Sequence, residues 1–185
     1  MKIKETPIPG LLVIEPAVFE DTRGYFFESY NKRSLANMGI EADFVQDNQS
    51  RSEYGVIRGL HYQLAPYGQA KLVRVLEGSV WDVIVDLRKG SPTYGHSFGI
   101  EISQANRLQL FIPKGMAHGF AVTSQQAVFF YKCDDYYRPE AERGIHCLDP
   151  NLKIEWPVNT DKALISNKDR MLPLFSEAET NFIFR

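Results

Sequence analysis

The stretch "KLVRVLEGSVWDVIVDLRKG", residues 71–90, limits most strongly what this chain can fold into. It holds two runs of Val, Leu, Ile and Trp, each too short for a buried helix, split by Glu77-Gly78-Ser79. Short β-branched runs broken by a turn read as two strands. In the second run Trp81, Val83, Val85 and Leu87 alternate with Val80, Asp82, Ile84 and Asp86. A period of two puts these sets on opposite faces. One face is wholly apolar and the other is mixed, the pattern of a barrel interior that accepts a ligand.

Further strands are expected in "HSFGIEIS", "RLQLFIP", "HGFAVTS" and "AVFFYKCDDYY". They recur at short intervals with Gly, Pro or Ser–Gln between them, which favours a sandwich or barrel over βαβ units. One short helix is expected at "KRSLANMG", with Gly39 as its stop. The tail "SEAETNFIF" is read as another turn or two of helix. The last forty residues carry Pro150, Pro157 and Pro173 and are expected to pack over the end of the β core. With no repeat or low-complexity linker, residues 1–185 read as a single domain.

Composition narrows the function classes. Of 185 residues 44% are hydrophobic and 24% charged, and the formal net charge is −2. No basic field points to nucleic acid, so any anionic ligand must be held by local arginines and lysines. The start "MKIKETPIPG" lacks a signal-type apolar run, and no stretch could span a bilayer. Cys133 and Cys147 lack metal-type spacing and read as reduced, partly buried thiols. A soluble cytoplasmic protein is expected.

Chemistry concentrates in two places. "FIPKGMAHGFAV" resembles the second motif of the cupin superfamily. That resemblance implies a mainly β fold, a double-stranded β-helix or jelly roll, here with short peripheral helices. The first cupin motif supplies metal ligands, but the corresponding place reads His61-Tyr62-Gln63, with Lys71 beyond it. Glutamine is a poor transition-metal ligand and an ammonium repels a cation, so no metal is expected. His61, in "RGLHYQ", is then a candidate base, since neutral imidazole is available near pH 7. Asp169 could orient it, Tyr131 could donate from an opposite wall, and Lys71 and His118 could stabilise an oxyanion. Spacing alone leaves their convergence open.

"EDTRGYFFESY", "FVQDNQSRSEYGVIRGLHYQ", "KLVRVLEGSVWDVIVDLRKGSPTYG", "FIPKGMAHGFAV" and "IEWP…ISNKD…P" follow one another in order. Together they resemble the dTDP-4-dehydrorhamnose 3,5-epimerase family over nearly the whole chain. The resemblance implies an isomerase of dTDP-L-rhamnose synthesis that inverts carbons 3 and 5 of dTDP-4-dehydro-6-deoxy-D-glucose. It implies that His61 is the base, Asp169 its partner, Tyr131 the acid on the other face and Lys71 the stabiliser of the enolate. By the same resemblance Arg23, Arg58 and Lys168 contact the diphosphate and Tyr137 stacks on thymine. Phe26, Glu28, Gln46, Asn48, His118 and Glu142 fall at ligand-binding positions. A homodimer is implied, with the Arg23–Glu28 stretch lent to the partner's site, and no metal or organic cofactor. A single-carbon epimerase, a metal-dependent cupin enzyme and a non-catalytic sugar-nucleotide binder remain the alternatives.

Overall fold

The computed structural model describes residues 1–184. In chain order the strands open with β1 (Lys2–Glu5), β2 (Leu12–Glu15), β3 (Phe19–Asp21) and β4 (Gly24–Phe26). After helix α1 (Lys32–Ala36) come β5 (Gln46–Glu53), β6 (Val56–Gln63), β7 (Lys71–Glu77), β8 (Ser79–Asp86) and β9 (Ser97–Ser103). Then follow β10 (Gln109–Ile112), β11 (Met116–Val122), β12 (Gln126–Cys133), β13 (Glu142–Gly144), β14 (Leu164–Ile165) and helix α2 (Asn167–Arg170).

Two sheets form a jelly roll. One runs β1-β2-β10-β7-β12-β5; the other runs β13-β6-β11-β8-β9, with β14 added parallel to β6. The two runs of residues 71–90 are strands, but they do not pair with each other. β7 lies between β10 and β12 in the first sheet, and β8 lies between β11 and β9 in the second. Gly78 makes the corner between sheets at φ +75°, where a Cβ would stand 2.0 Å from the Gln126 carbonyl oxygen. Only glycine fits both the backbone and the space.

Strand alternation sorts residues into interior and exterior. Val80 and Ile84 of β8 join Val73, Val75, Leu110, Phe120, Val122 and Phe129 between the sheets. Phe120 and Phe129 stack at 4.2 Å, a pairing worth about 0.5–1.5 kcal/mol beyond its buried area. The apolar face of β8 points the other way. Val83, Val85 and Leu87 pack with Leu60, Tyr62, Ile145, Leu152 and Phe182. The loop-rich C-terminal region therefore covers the outer face of the second sheet, not the end of the core. An apolar strand face left open to water has to be covered, and this region supplies the cover.

Helix α1 starts where the Asn31 side chain accepts from the Ser34 N–H. Its end is closed by Gly39 at φ +83°, with the Ile40 N–H bonded to the Leu35 carbonyl. Its Leu35 packs with Ile14, Ile40 and Leu72 on the outer face of the first sheet. The tail forms no helix. It makes one turn at Leu174–Ala178 and then a parallel bridge from Ile183 to Lys89. Phe182 is 7% exposed, and the extended path lets it reach the core. The β3–β4 hairpin is tied to the roll by Arg107, which pairs with Glu20 and lies over the Tyr25 ring, but it leaves Phe19 and Phe26 66% and 70% exposed. Cys133 and Cys147 are both free and buried. No helix among the described residues is long and apolar enough to cross a membrane.

Candidate active site

The alternation that builds the interior also aims its polar residues. On β7, Lys71 shares the inward face with Val73 and Val75; on β12, Tyr131 follows Phe129; on β11, His118 stands between Met116 and Phe120. Strand β6 breaks the rule. Val56 and Arg58 face inward, whereas Leu60 and Tyr62 face the outer cluster and His61 and Gln63 face inward. The β6–β11 register slips by one residue between the pairs His118↔His61 and Phe120↔Arg58. A one-residue bulge reverses the facing of everything beyond it. It lies at Gly59, with φ +110°, where a Cβ would be 2.7 Å from both the Gly119 Cα and the His118 carbonyl oxygen. The glycine in "RGLHYQ" thus lets Arg58 and His61 face the same space.

That space is a cavity of about 570 Å³ between the sheets. His61, Arg58 and His118 line it from the second sheet; Lys71, Tyr131 and Asn48 line it from the first. Asp169 and Lys168 come from α2, and Tyr137 and Glu142 stand near its mouth. His61 Nε2 lies 2.8 Å from Asp169 Oδ1. Asp169 also accepts from the Gly59 N–H at 3.2 Å, and the Ser166 cap accepts from its backbone N–H. Burial opposes ionisation of Asp169, but the bonds from His61, Gly59 and Ser166 outweigh it and hold the carboxyl below its ordinary value. The carboxylate therefore fixes the imidazole ring while His61, 33% exposed at its side chain, remains open to the cavity.

Opposite stands Tyr131. Burial pushes its phenol up to about 12, so it is a protonated donor at neutral pH. The Lys71 Nζ lies 5.7 Å from the centre of the Tyr131 ring. Desolvation pulls this ammonium below its ordinary range, against the fields of Cys133, Asp82 and Glu142. Arg58 is steadied by a 3.0 Å bond from its Nε to the Ser52 hydroxyl. At the mouth one oxygen of Glu142 accepts from Lys168 at 2.6 Å and from the Tyr137 hydroxyl at 2.7 Å. Gln46 sits behind this rim, donating to Asn48 and accepting from the Tyr137 N–H. Gln63 is committed to the backbone, donating to the Tyr67 and Tyr136 carbonyls and accepting from the Arg138 N–H.

Four expected residues do not line the cavity of their own chain: Gln46, which bonds to Asn48 and Tyr137 from behind, and Arg23, Phe26 and Glu28, which stand farther off. Arg23 pairs with Asp21 on the exposed hairpin, and Glu28 accepts from Asn31. Conversely, Asp82 received no role from motif reasoning, although it was visible as a charge on the inward face of β8. Both its oxygens lie 3.0 Å from His118 Nε2.

A jelly roll that presents an oriented imidazole and a phenol from opposite walls of one polar cavity has the layout of an acid–base enzyme of the cupin type. The family model for dTDP-4-dehydrorhamnose 3,5-epimerase matches residues 5–177. The chain is 51% identical over 180 residues to dTDP-4-dehydrorhamnose 3,5-epimerase of Pseudomonas aeruginosa, covering 97% of this chain and 98% of that one. The crystal structure of the Elizabethkingia anophelis enzyme of that name superposes with a TM-score of 0.92 at 48% identity, over 96% of this chain and 97% of that one. A dTDP-6-deoxy-D-glucose-3,5-epimerase from Legionella pneumophila, solved with dTDP-4-keto-L-rhamnose, gives 0.90 at 50% identity, over 95% and 93%. The chain belongs to the dTDP-4-dehydrorhamnose 3,5-epimerase family.

Proposed function

We propose that this protein inverts carbons 3 and 5 of dTDP-4-dehydro-6-deoxy-D-glucose, giving dTDP-4-dehydro-L-rhamnose for dTDP-L-rhamnose synthesis. The observation that supports this most is that His61 and Tyr131 come from opposite sheets into one cavity. Both reacting carbons are alpha to the C4 ketone, so removing either proton gives a conjugated enolate. His61, oriented by Asp169, takes the proton; Tyr131 returns one to the opposite face. General acid–base action contributes about 10²–10⁴-fold, and the rest must come from stabilising the enolate oxygen. Lys71 supplies the cation for this, in a site where water does not screen it. Arg58 and Lys168 hold the diphosphate, Tyr137 stacks on thymine, and Gln46, Asn48, His118 and Glu142 complete the ligand contacts. No metal or organic cofactor enters this scheme, and with two reduced thiols the reaction belongs in the cytoplasm.

Deuterium wash-in from heavy water tests the reaction. Label is expected at both ring carbons; label at one carbon would replace the double epimerase with a single-carbon enzyme. Tyr131→Phe should separate the two faces. Its substrate should still exchange deuterium through His61, while product formation falls by about 10²-fold. Equal loss of exchange and inversion would remove Tyr131 from the acid role.

The exposed β3–β4 hairpin, remote from its own cavity, supports a homodimer in which Arg23, Phe26 and Glu28 complete the partner's site. Arg23→Ala and His61→Asn chains should then complement. Mixed after dissociation, two inactive homodimers would yield hybrids with one intact site, about one quarter of wild-type sites in an equimolar mixture. Absence of recovery in proven hybrids would place Arg23 outside a shared site.

A further inference from the structure

We propose that Asp82 is a positioning residue for the enolate: its buried carboxyl grips His118 Nε2 and passes that nitrogen a proton as charge builds on the sugar's C4 oxygen. The inference rests on reading the cavity as a 4-keto sugar site. Asp82 is wholly buried, beside apolar Val80 and Ile84 on the inward face of β8. A lone charge there would be costly, so the group has to be matched. Its two oxygens stand at 3.0 Å from one nitrogen of His118, and the field of Lys71, on the other sheet, acts on both groups. His118 Nδ1 has no hydrogen-bond partner among the described residues, while the ring lines the cavity.

The ladder between β6 and β11 sets His118 opposite His61, so two imidazole–carboxyl pairs lie side by side. Burial divides their work. The His61 side chain is 33% exposed and can exchange its proton with solvent; the His118 side chain, at 6%, lines the cavity but is nearly closed to bulk water. A base that must reload from water belongs to the first pair. The second pair suits a charge that forms and vanishes within the cavity. Burial raises Asp82 and lowers His118, both toward a pair holding its proton on the carboxyl. In that state the acid donates to Nε2 and Nδ1 keeps its N–H. As the enolate forms, the proton crosses to Nε2, leaving a carboxylate and an imidazolium whose Nδ1–H faces the oxygen. When the enolate is quenched, the proton returns, and nothing is consumed.

Asp82→Asn keeps the shape and a donor to Nε2 but removes the transferable proton. Its kcat should fall about 10–100-fold, with KM and dTDP affinity within about 3-fold of wild type. Deuterium wash-in at carbons 3 and 5 should fall together, because both enolates share one oxygen. Added to His118→Gln, the change should cause no further loss. Unchanged kcat, additive losses, or a loss matched by weaker dTDP binding would overturn the proposal. If Asp82→Asn does not fold, ¹⁵N imidazole spectra of the wild type decide. A protonated Nδ1 is expected at pH 7, and a fixed Nε2–H tautomer with a bare Nδ1 overturns it. Absent wild-type wash-in would sink the epimerase reading itself; wild-type wash-in with an unaffected Asp82→Asn would sink only the role of Asp82.

Discussion

His61→Asn is expected to lower kcat by about 10³-fold and to stop deuterium wash-in at both carbons, with dTDP affinity unchanged. The size follows from what the imidazole does. It is the group on its wall that is both oriented by a carboxylate, 2.8 Å away, and open to the cavity. His118 cannot substitute, because its Nε2 is held by a wholly buried carboxyl and its side chain is 6% exposed. Nucleotide affinity should survive, since the contacts proposed for the diphosphate and base are organised separately. Arg58 is braced by Ser52, and Lys168, Glu142 and Tyr137 bond to one another at the mouth. Isothermal titration with dTDP and a wash-in assay on one preparation would test both halves. Wash-in within about tenfold of wild type would assign the proton to another group.

Gly59→Ala should cost about 2–4 kcal/mol of stability and most of the activity. The new Cβ would stand 2.7 Å from the Gly119 Cα and the His118 carbonyl, both backbone atoms that cannot swing aside. Relief requires β6 and β11 to part, and β11 carries His118 while β6 carries Arg58 and His61. The residue 59 N–H would also move away from Asp169, loosening the carboxylate that orients His61. Gly55→Ala is the control. Gly55 has a positive φ of +78° too, but open space around its Cβ position, so only the backbone cost of about 1 kcal/mol remains. Urea midpoints of the two variants separate close approach from backbone conformation. Equal midpoints would mean that the β6–β11 contact is not what requires glycine.

Much of the site could be read from local pattern. A strand's side chains alternate with a period set by the backbone itself, so Tyr131 falls with Phe129, and Lys71 with Val73 and Val75, whatever lies across from them. The same regularity exposed Asp82 as a charge on an inward face, without showing what it met. The motifs ordered along the chain carried the family, and the family model spans residues 5–177.

Other features depend on contacts between distant segments, which no window of sequence contains. Asp169 reaches His61 across 108 positions. The turn at Gly78 could have closed a hairpin, but the strands beside it pair with β10, β12, β11 and β9 instead, because each apolar face had to meet a different layer. Strict alternation would have turned His61 away from Arg58; a slip of one residue against β11 brings them to one cavity. Local chemistry chose which residues become strands and, within an unbroken strand, which of them share a face. The packing of those strands against one another chose the register, and the register is what assembles the site.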